Sequence, residues 1–154
     1  MSGTSLDGLD IVKCIFKKEK KWSYIVEKYE TIEYSVLWEE KLKNLHKKDK
    51  KDITKCGIEY GKYLGVKVNE FLKKNNLKTD YISSHGHTIF HDPKNQYTLQ
   101  IGDGQSILNS TNITIINNFR ELDISLFGEG APLVPIGDLH LFNKYKYCLN
   151  LGGF

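Results

Sequence analysis

The chain has 154 residues, 40% of them hydrophobic and 27% charged, a balance that suits one globular domain and excludes intrinsic disorder. No apolar run approaches the roughly 18 residues of a membrane span, and residues 1–8 lack the basic and apolar regions of a signal peptide. The net charge of +3 is small, and the lysine clusters around Glu19 and Asp49 have no interleaved arginines or aromatics to engage bases, so neither nucleic acid nor membrane is an expected partner.

Residues 9–16 are rich in β-formers, and 22–34 alternate apolar and polar; with the Lys/Glu turn between them they predict an antiparallel hairpin. Ser35 is an N-cap signal, with Trp38, Leu42 and Leu45 at helical spacing behind it. Asp52 is expected to cap a longer helix whose apolar face is Ile53, Cys56, Tyr60, Leu64, Val68, Phe71 and Leu72. Gly57, Gly61 and Gly65 form a second stripe on it. Each costs about 1 kcal/mol against alanine in a helix interior, so three at one spacing predict close approach of another backbone.

Short strands are predicted over 81–84, 97–101 and 113–116, with a short helix through Leu108. His85-Gly86-His87-Thr88 reads as a turn and 117–133 as a loop. A helix over 135–142 and a last strand over 147–151 complete the pass. The predicted class is α/β: a mixed sheet, antiparallel at its start and parallel later, with helices on its faces. Both ends read as cut, one inside a Gly/Ser/Thr turn, the other at a Gly-Gly where α/β proteins place a phosphate-binding turn. Cys14, Cys56 and Cys148 fit neither a disulfide framework nor a metal knuckle and read as reduced thiols of a cytosolic protein.

Three segments carry candidate chemistry. Ser2-Gly3-Thr4-Ser5-Leu6-Asp7-Gly8 can curve tightly and offers hydroxyls and backbone N–H groups to phosphate, although no Gly-Lys-Ser/Thr closes it. Asp7 and Asp10 could hold Mg²⁺ through water. A simple turn is the alternative. His85, His87, His91 and Asp92 could ligate a metal, hydrogen bond a sugar or phosphate, or be structural. Arg120 is the only arginine and Ala131 the only alanine, so the segment between them looks specified. Arg120 is expected to pair with Asp123 or Glu121, and Gly128-Glu129-Gly130-Ala131-Pro132 to let a ligand approach backbone.

Taken together, Met1-Ser2-Gly3-Thr4-Ser5-Leu6-Asp7-Gly8-Leu9-Asp10, Ser84-His85-Gly86-His87-Thr88, Leu99-Gln100-Ile101-Gly102-Asp103, Phe119-Arg120 with Asp123, Gly128-Glu129-Gly130-Ala131-Pro132-Leu133-Val134-Pro135 and Leu149-Asn150-Leu151-Gly152-Gly153-Phe154 resemble, in order, the motifs of anhydro-N-acetylmuramic acid kinases. The resemblance implies an RNase H-like, actin/hexokinase/Hsp70-type fold whose two halves close over ATP and sugar. It implies ATP-dependent opening of the 1,6-anhydro ring and phosphorylation of O6. The product is N-acetylmuramic acid 6-phosphate, in cytoplasmic peptidoglycan recycling and amino-sugar catabolism.

By the same resemblance, Gly3, Thr4, Ser5, Leu6, Asp7, Gly8, Leu9 and Asp10 form a first phosphate loop for ATP and Mg²⁺, and Gly152 and Gly153 begin a second. His85, Gly86, His87, Thr88, Arg120, Asp123, Gly130, Ala131 and Pro132 line the sugar side. Residues 1–154 then stand as the incomplete first domain of a two-domain kinase, partnered by its own C-terminal domain and by a second copy in a homodimer. The general-base aspartate is expected beyond Phe154, which would leave this portion inactive alone. Two departures from the family pattern are His87, where the family usually has Gln, and a thinned basic run after Arg120. A zinc hydrolase built on the histidines and a catalytically inert sugar-binding module are the competing readings.

Overall fold

The computed structural model describes residues 2–3 and 5–149. Strands β1 (Leu9–Lys18) and β2 (Trp22–Ile32) form the predicted antiparallel hairpin, with a register shift between Lys13 and Cys14. Helix α1 (Val36–Asn44) starts at Ser35, whose side chain accepts from the Trp38 N–H, and runs into a 3₁₀ turn over Leu45–Lys47.

Helix α2 (Lys50–Lys74) is the spine of the domain. Its cap is Asp49, whose carboxylate accepts the Asp52 N–H at 2.8 Å; Asp52, the expected cap, lies in the first turn. Ile53, Cys56, Tyr60, Leu64 and Phe71 are buried along the predicted face. The glycine stripe meets helix α3 (Gly104–Thr111) and the turn before it, and the Asp103 N–H reaches the Gly57 carbonyl at 3.0 Å. The predicted close backbone approach is therefore present. Asp103 caps α3, taking both the N–H (2.7 Å) and the hydroxyl (2.6 Å) of Ser106.

Strand β3 (Tyr81–Ser84) pairs in parallel with β6 (Thr114–Asn117). The segment read as a polar turn after β3 is a turn only at His85-Gly86. From His87 it becomes strand β4 (His87–Asp92), which pairs antiparallel with β5 (Tyr97–Ile101) around a 3₁₀ turn over Pro93–Asn95. The segment read as a loop after β6 contains helix α4 (Glu121–Ser125), and α5 (Pro135–Leu141) follows. Tyr147 and Leu149, expected in a strand, are exposed and in no strand, while positions 150 and 151 lie outside the described residues.

The sheet also differs from expectation. In place of one continuous mixed sheet, the described residues form three two-stranded ladders. Ser2 ties two of them together by bridging antiparallel to Leu9 and parallel to His87. The core lies between these ladders and α2, with Leu9, Leu42, Leu45, Ile101 and Ile107 buried around Tyr60.

Candidate functional site

The turn that leads into β1 is closed by the Leu6 N–H donating to the Gly3 carbonyl at 3.3 Å, with Leu6 in the left-handed region at φ 59°. Such backbone is uncommon for a branched side chain and concentrates at ligand-binding turns. The Ser5 hydroxyl donates to Asp7 at 2.8 Å, and the Thr31 hydroxyl donates to Asp10 at 2.6 Å. Both carboxylates are on exposed residues. Their position fits a Mg²⁺ held through water, which needs one or two carboxylates and no protein cage. Gly8 is buried and Leu9 is core, so these two fix the turn to the sheet. Thr4, Gly152 and Gly153 lie outside the described residues.

Ser2 anchors the turn through a buried polar chain that sequence spacing does not reveal. Its hydroxyl is 2.9 Å from His87 Nδ1 and receives the Tyr34 hydroxyl at 2.7 Å; Tyr34 and Tyr60 hydroxyls are 2.6 Å apart. Because Tyr34 spends its proton on Ser2, Tyr60 donates to Tyr34 and Ser2 donates to His87. That order satisfies every hydroxyl and places the imidazole proton on Nε2. Tyr60 is 0% exposed, and burial pushes its pKa far above the usual phenol value. Burial lowers the pKa of His87, and the neighbouring His85 adds to the lowering. His87 is thus a buried, neutral imidazole that accepts from Ser2.

His85 belongs to a second cluster. Arg120 donates from Nε to His85 Nε2 at 2.9 Å and from Nη1 to the Gly130 carbonyl at 2.6 Å. The Gly130 N–H in turn donates to Asp123 at 2.6 Å. Both backbone polar groups of Gly130 are therefore held, its C=O by Arg120 and its N–H by Asp123, and the expected direct pairing of Arg120 with Asp123 or Glu121 does not occur. Glu121 instead receives the Asn118 amide. Gly130 has φ 61°, and a Cβ there would press on Ile124. With Nε2 accepting, His85 carries its proton on Nδ1, 3.2 Å from the Gly86 carbonyl. Burial lowers its pKa; the Gly86 carbonyl opposes this and the Arg120 charge reinforces it. Ala131 and Pro132 follow Gly130 as exposed residues.

Gly86 joins the two clusters. Its φ of 72° and the Ile101 carbonyl, which a Cβ would overlap, restrict the position to glycine. Thr88, next to His87, receives the Gln100 amide at 3.5 Å, and the Gln100 Oε1 is buried with no partner among the described residues. Gln100 was not among the expected site residues, although it lies inside one of the quoted motifs. The described residues contain no group of three or more His, Cys, Asp or Glu side chains placed to hold a metal. A zinc site at the histidines is disfavoured on the same geometry. His85 Nε2 faces a guanidinium, His87 Nδ1 is bonded to Ser2, and His91 lies 3.2 Å from the Thr98 hydroxyl.

Comparison with known proteins agrees over the whole chain. The family model for anhydro-N-acetylmuramic acid kinase matches residues 1–154. The chain is 39% identical to the protein of that name from Pseudoalteromonas translucida, covering 99% of this chain and 43% of that one. Its identity is 38% to the protein of Shewanella oneidensis and 35% to that of Clostridioides difficile, in each case over 99% of this chain and 44% of the relative. The chain thus spans less than half the length of these relatives.

Proposed function

The chain belongs to the anhydro-N-acetylmuramic acid kinase family, and from that premise we propose that it supplies the first domain of an ATP-dependent kinase acting on 1,6-anhydro-N-acetylmuramic acid. The reaction consumes one water. Its oxygen bonds to C1 as the C1–O bond of the anhydro bridge breaks, and the released O6 takes the γ-phosphoryl group, leaving ADP and a proton. The product is the 6-phosphate of N-acetylmuramic acid.

The observation that carries this reading is the continuity of the two polar clusters. Ser2 bonds His87, Gly86 turns the chain, His85 receives Arg120, and Arg120 and Asp123 hold Gly130. A phosphate-type turn and a guanidinium-bearing polar cluster are thus linked through Gly86. In our reading, residues 3–10 wrap the ATP phosphates with backbone N–H groups, and Gly152 and Gly153 add a second contact. Asp7 and Asp10 orient the water shell of Mg²⁺, which neutralises charge on the phosphates. Arg120 uses two of its five N–H donors on His85 and Gly130; the others suit the carboxylate of a muramic acid. His85, neutral and with its tautomer fixed, holds Arg120 without competing for charge. Thr88, Asp123, Ala131 and Pro132 complete the sugar side.

Most of such a rate comes from alignment and charge neutralisation, which is the work these side chains can do. The test is ADP release by the full-length enzyme containing this chain. Release dependent on the anhydro sugar is expected; equal release with and without that sugar overturns the substrate assignment.

A further inference from the structure

The turn that leads into β1 stands on two feet. Ser2 and Leu9 pair across its base as an antiparallel bridge, and the bond from the Leu6 N–H to the Gly3 carbonyl closes it above them. Different forces fix the two feet. Leu9 is 4% exposed and is held by the apolar core. Ser2 is equally buried but has no apolar side chain to pack, so hydrogen bonds set its place. The Tyr34 hydroxyl supplies one of them at 2.7 Å, from 32 positions along the chain.

Tyr34 stands just past the end of β2, where that strand runs beside the turn. The Ile32 carbonyl lies 2.7 Å from where a Cβ on Gly8 would sit, and Thr31 donates to Asp10 at 2.6 Å. Burial raises the Tyr34 pKa, the bonds to Ser2 and Tyr60 oppose this, and the charges of Asp10 and Asp7 raise it further. The hydroxyl thus stays a donor at neutral pH. The ring is fixed as well, with its centroid 6.4 Å from that of Tyr60 and 6.1 Å from that of Tyr63, both on α2. Without the Tyr34 donor, the Ser2 oxygen keeps its bond to His87 and is left as a buried acceptor unmet. That foot of the turn then loosens. When only a fraction of molecules holds a competent site, the apparent affinity for its ligand falls by that fraction.

We propose that Tyr34 is a positioning residue for ATP, which by donating to Ser2 holds the turn in the form that wraps the phosphates. The inference rests on the reading of residues 3–10 as the phosphate turn. Its effect is selective for the nucleotide. The Tyr34 hydroxyl meets Ser2 and Tyr60, whereas Arg120 keeps its own bonds to His85 and Gly130 whatever happens at Tyr34.

The test makes Tyr34→Phe in a Tyr60→Phe background of the full-length enzyme containing this chain, so that its loss strands no buried phenol and leaves none to take its place. Calorimetry reads the Kd of ATP with Mg²⁺, initial rates read the KM of the anhydro sugar, and hydrogen exchange without nucleotide reads the Leu6 amide. Adding Tyr34→Phe should weaken ATP by about three- to tenfold, the worth of one neutral hydrogen bond, and leave the sugar KM within about twofold. The Leu6 amide should exchange faster. Ser2→Ala in the same background should weaken ATP at least as much, and adding Tyr34→Phe to it should change ATP affinity no further, because the two side chains act as one unit. An unchanged Kd with faster Leu6 exchange overturns the proposal through the phosphate reading it rests on. An unchanged Kd with unchanged exchange overturns the role of Tyr34 alone. ATP and sugar weakened together, or a further loss in the Ser2→Ala background, make Tyr34 merely structural and overturn it too.

Discussion

Two glycines one helical turn apart on α2 should respond to the same substitution with opposite sign. Replacing glycine by alanine in a helix interior stabilises by about 1 kcal/mol, provided the methyl group has room. At Gly57 it has room: a Cβ would lie 3.8 Å from Ile101, an ordinary van der Waals contact. Gly57→Ala should therefore stabilise by about 1 kcal/mol, or about 2–4 °C in Tm for a chain of this size. At Gly61 the Cβ would lie 2.5 Å from the Asp103 carbonyl oxygen, 2.9 Å from its nitrogen and 3.0 Å from Ser106 Cβ. Those atoms cannot retreat cheaply, because the Asp103 N–H is bonded to Gly57 and its carboxylate caps α3. Overpacking costs about 1–3 kcal/mol, and a 2.5 Å approach to a tied backbone oxygen belongs at the upper end of that range, above the helix-propensity gain. Gly61→Ala should lower the urea midpoint while Gly57→Ala raises it. The assay is paired urea denaturation followed by circular dichroism at 222 nm, chosen to report α2. A Gly61→Ala protein as stable as the parent, or shifts of the same sign at both sites, would refute the packing of α2 on α3 described above.

Two further predictions concern the polar clusters, and a third the cap of α2. His85 and His87 have folded-state pKa values below the ordinary 6.5, so the unfolded chain takes up protons first as pH falls. Their stabilisation is complete above pH 6.5 and is lost as pH drops below it toward the folded-state values; urea midpoints at pH 7.5 and 5.5 should show the fall, and His87→Gln should shrink it. Arg120→Ala strips the donors from His85 Nε2 and the Gly130 carbonyl, and should destabilise by about 1–3 kcal/mol, with the largest loss of exchange protection at Gly130. Asp49→Ala removes the true cap of α2 and should cost about 1 kcal/mol, whereas Asp52→Ala should cost clearly less; thermal melts of the pair decide which residue caps the helix.

What the sequence made legible was what depends on local periodicity. The alternation in 22–34 exposed the hairpin, the three-and-four spacing from Ile53 to Phe71 exposed α2, and the glycine stripe exposed its close neighbour before that neighbour was known. Strand β4 was hidden because Ile89 and Phe90 are its only large apolar residues and it begins on a buried histidine; its pairing with β5 is a tertiary effect. Helix α4 was hidden because five residues are too few for a helical period to show. The candidate site divides in the same way. Arg120 and Asp123 stood out as a set, but they meet at the backbone of Gly130, one at its C=O and the other at its N–H, a partner that side-chain types do not signal. The Ser2, Tyr34, Tyr60 and His87 chain joins residues up to 85 positions apart, and no spacing rule connects them.

The kinase reading is tested most directly by the mass of the sugar product. Full-length enzyme containing this chain is incubated with ATP, Mg²⁺ and 1,6-anhydro-N-acetylmuramic acid in ¹⁸O-labelled water, quenched early, and the sugar is weighed by mass spectrometry. The account predicts a phosphosugar with phosphate on O6 and one labelled oxygen at C1. A sugar that gains phosphate with its anhydro ring intact, or gains water without phosphate, would contradict it.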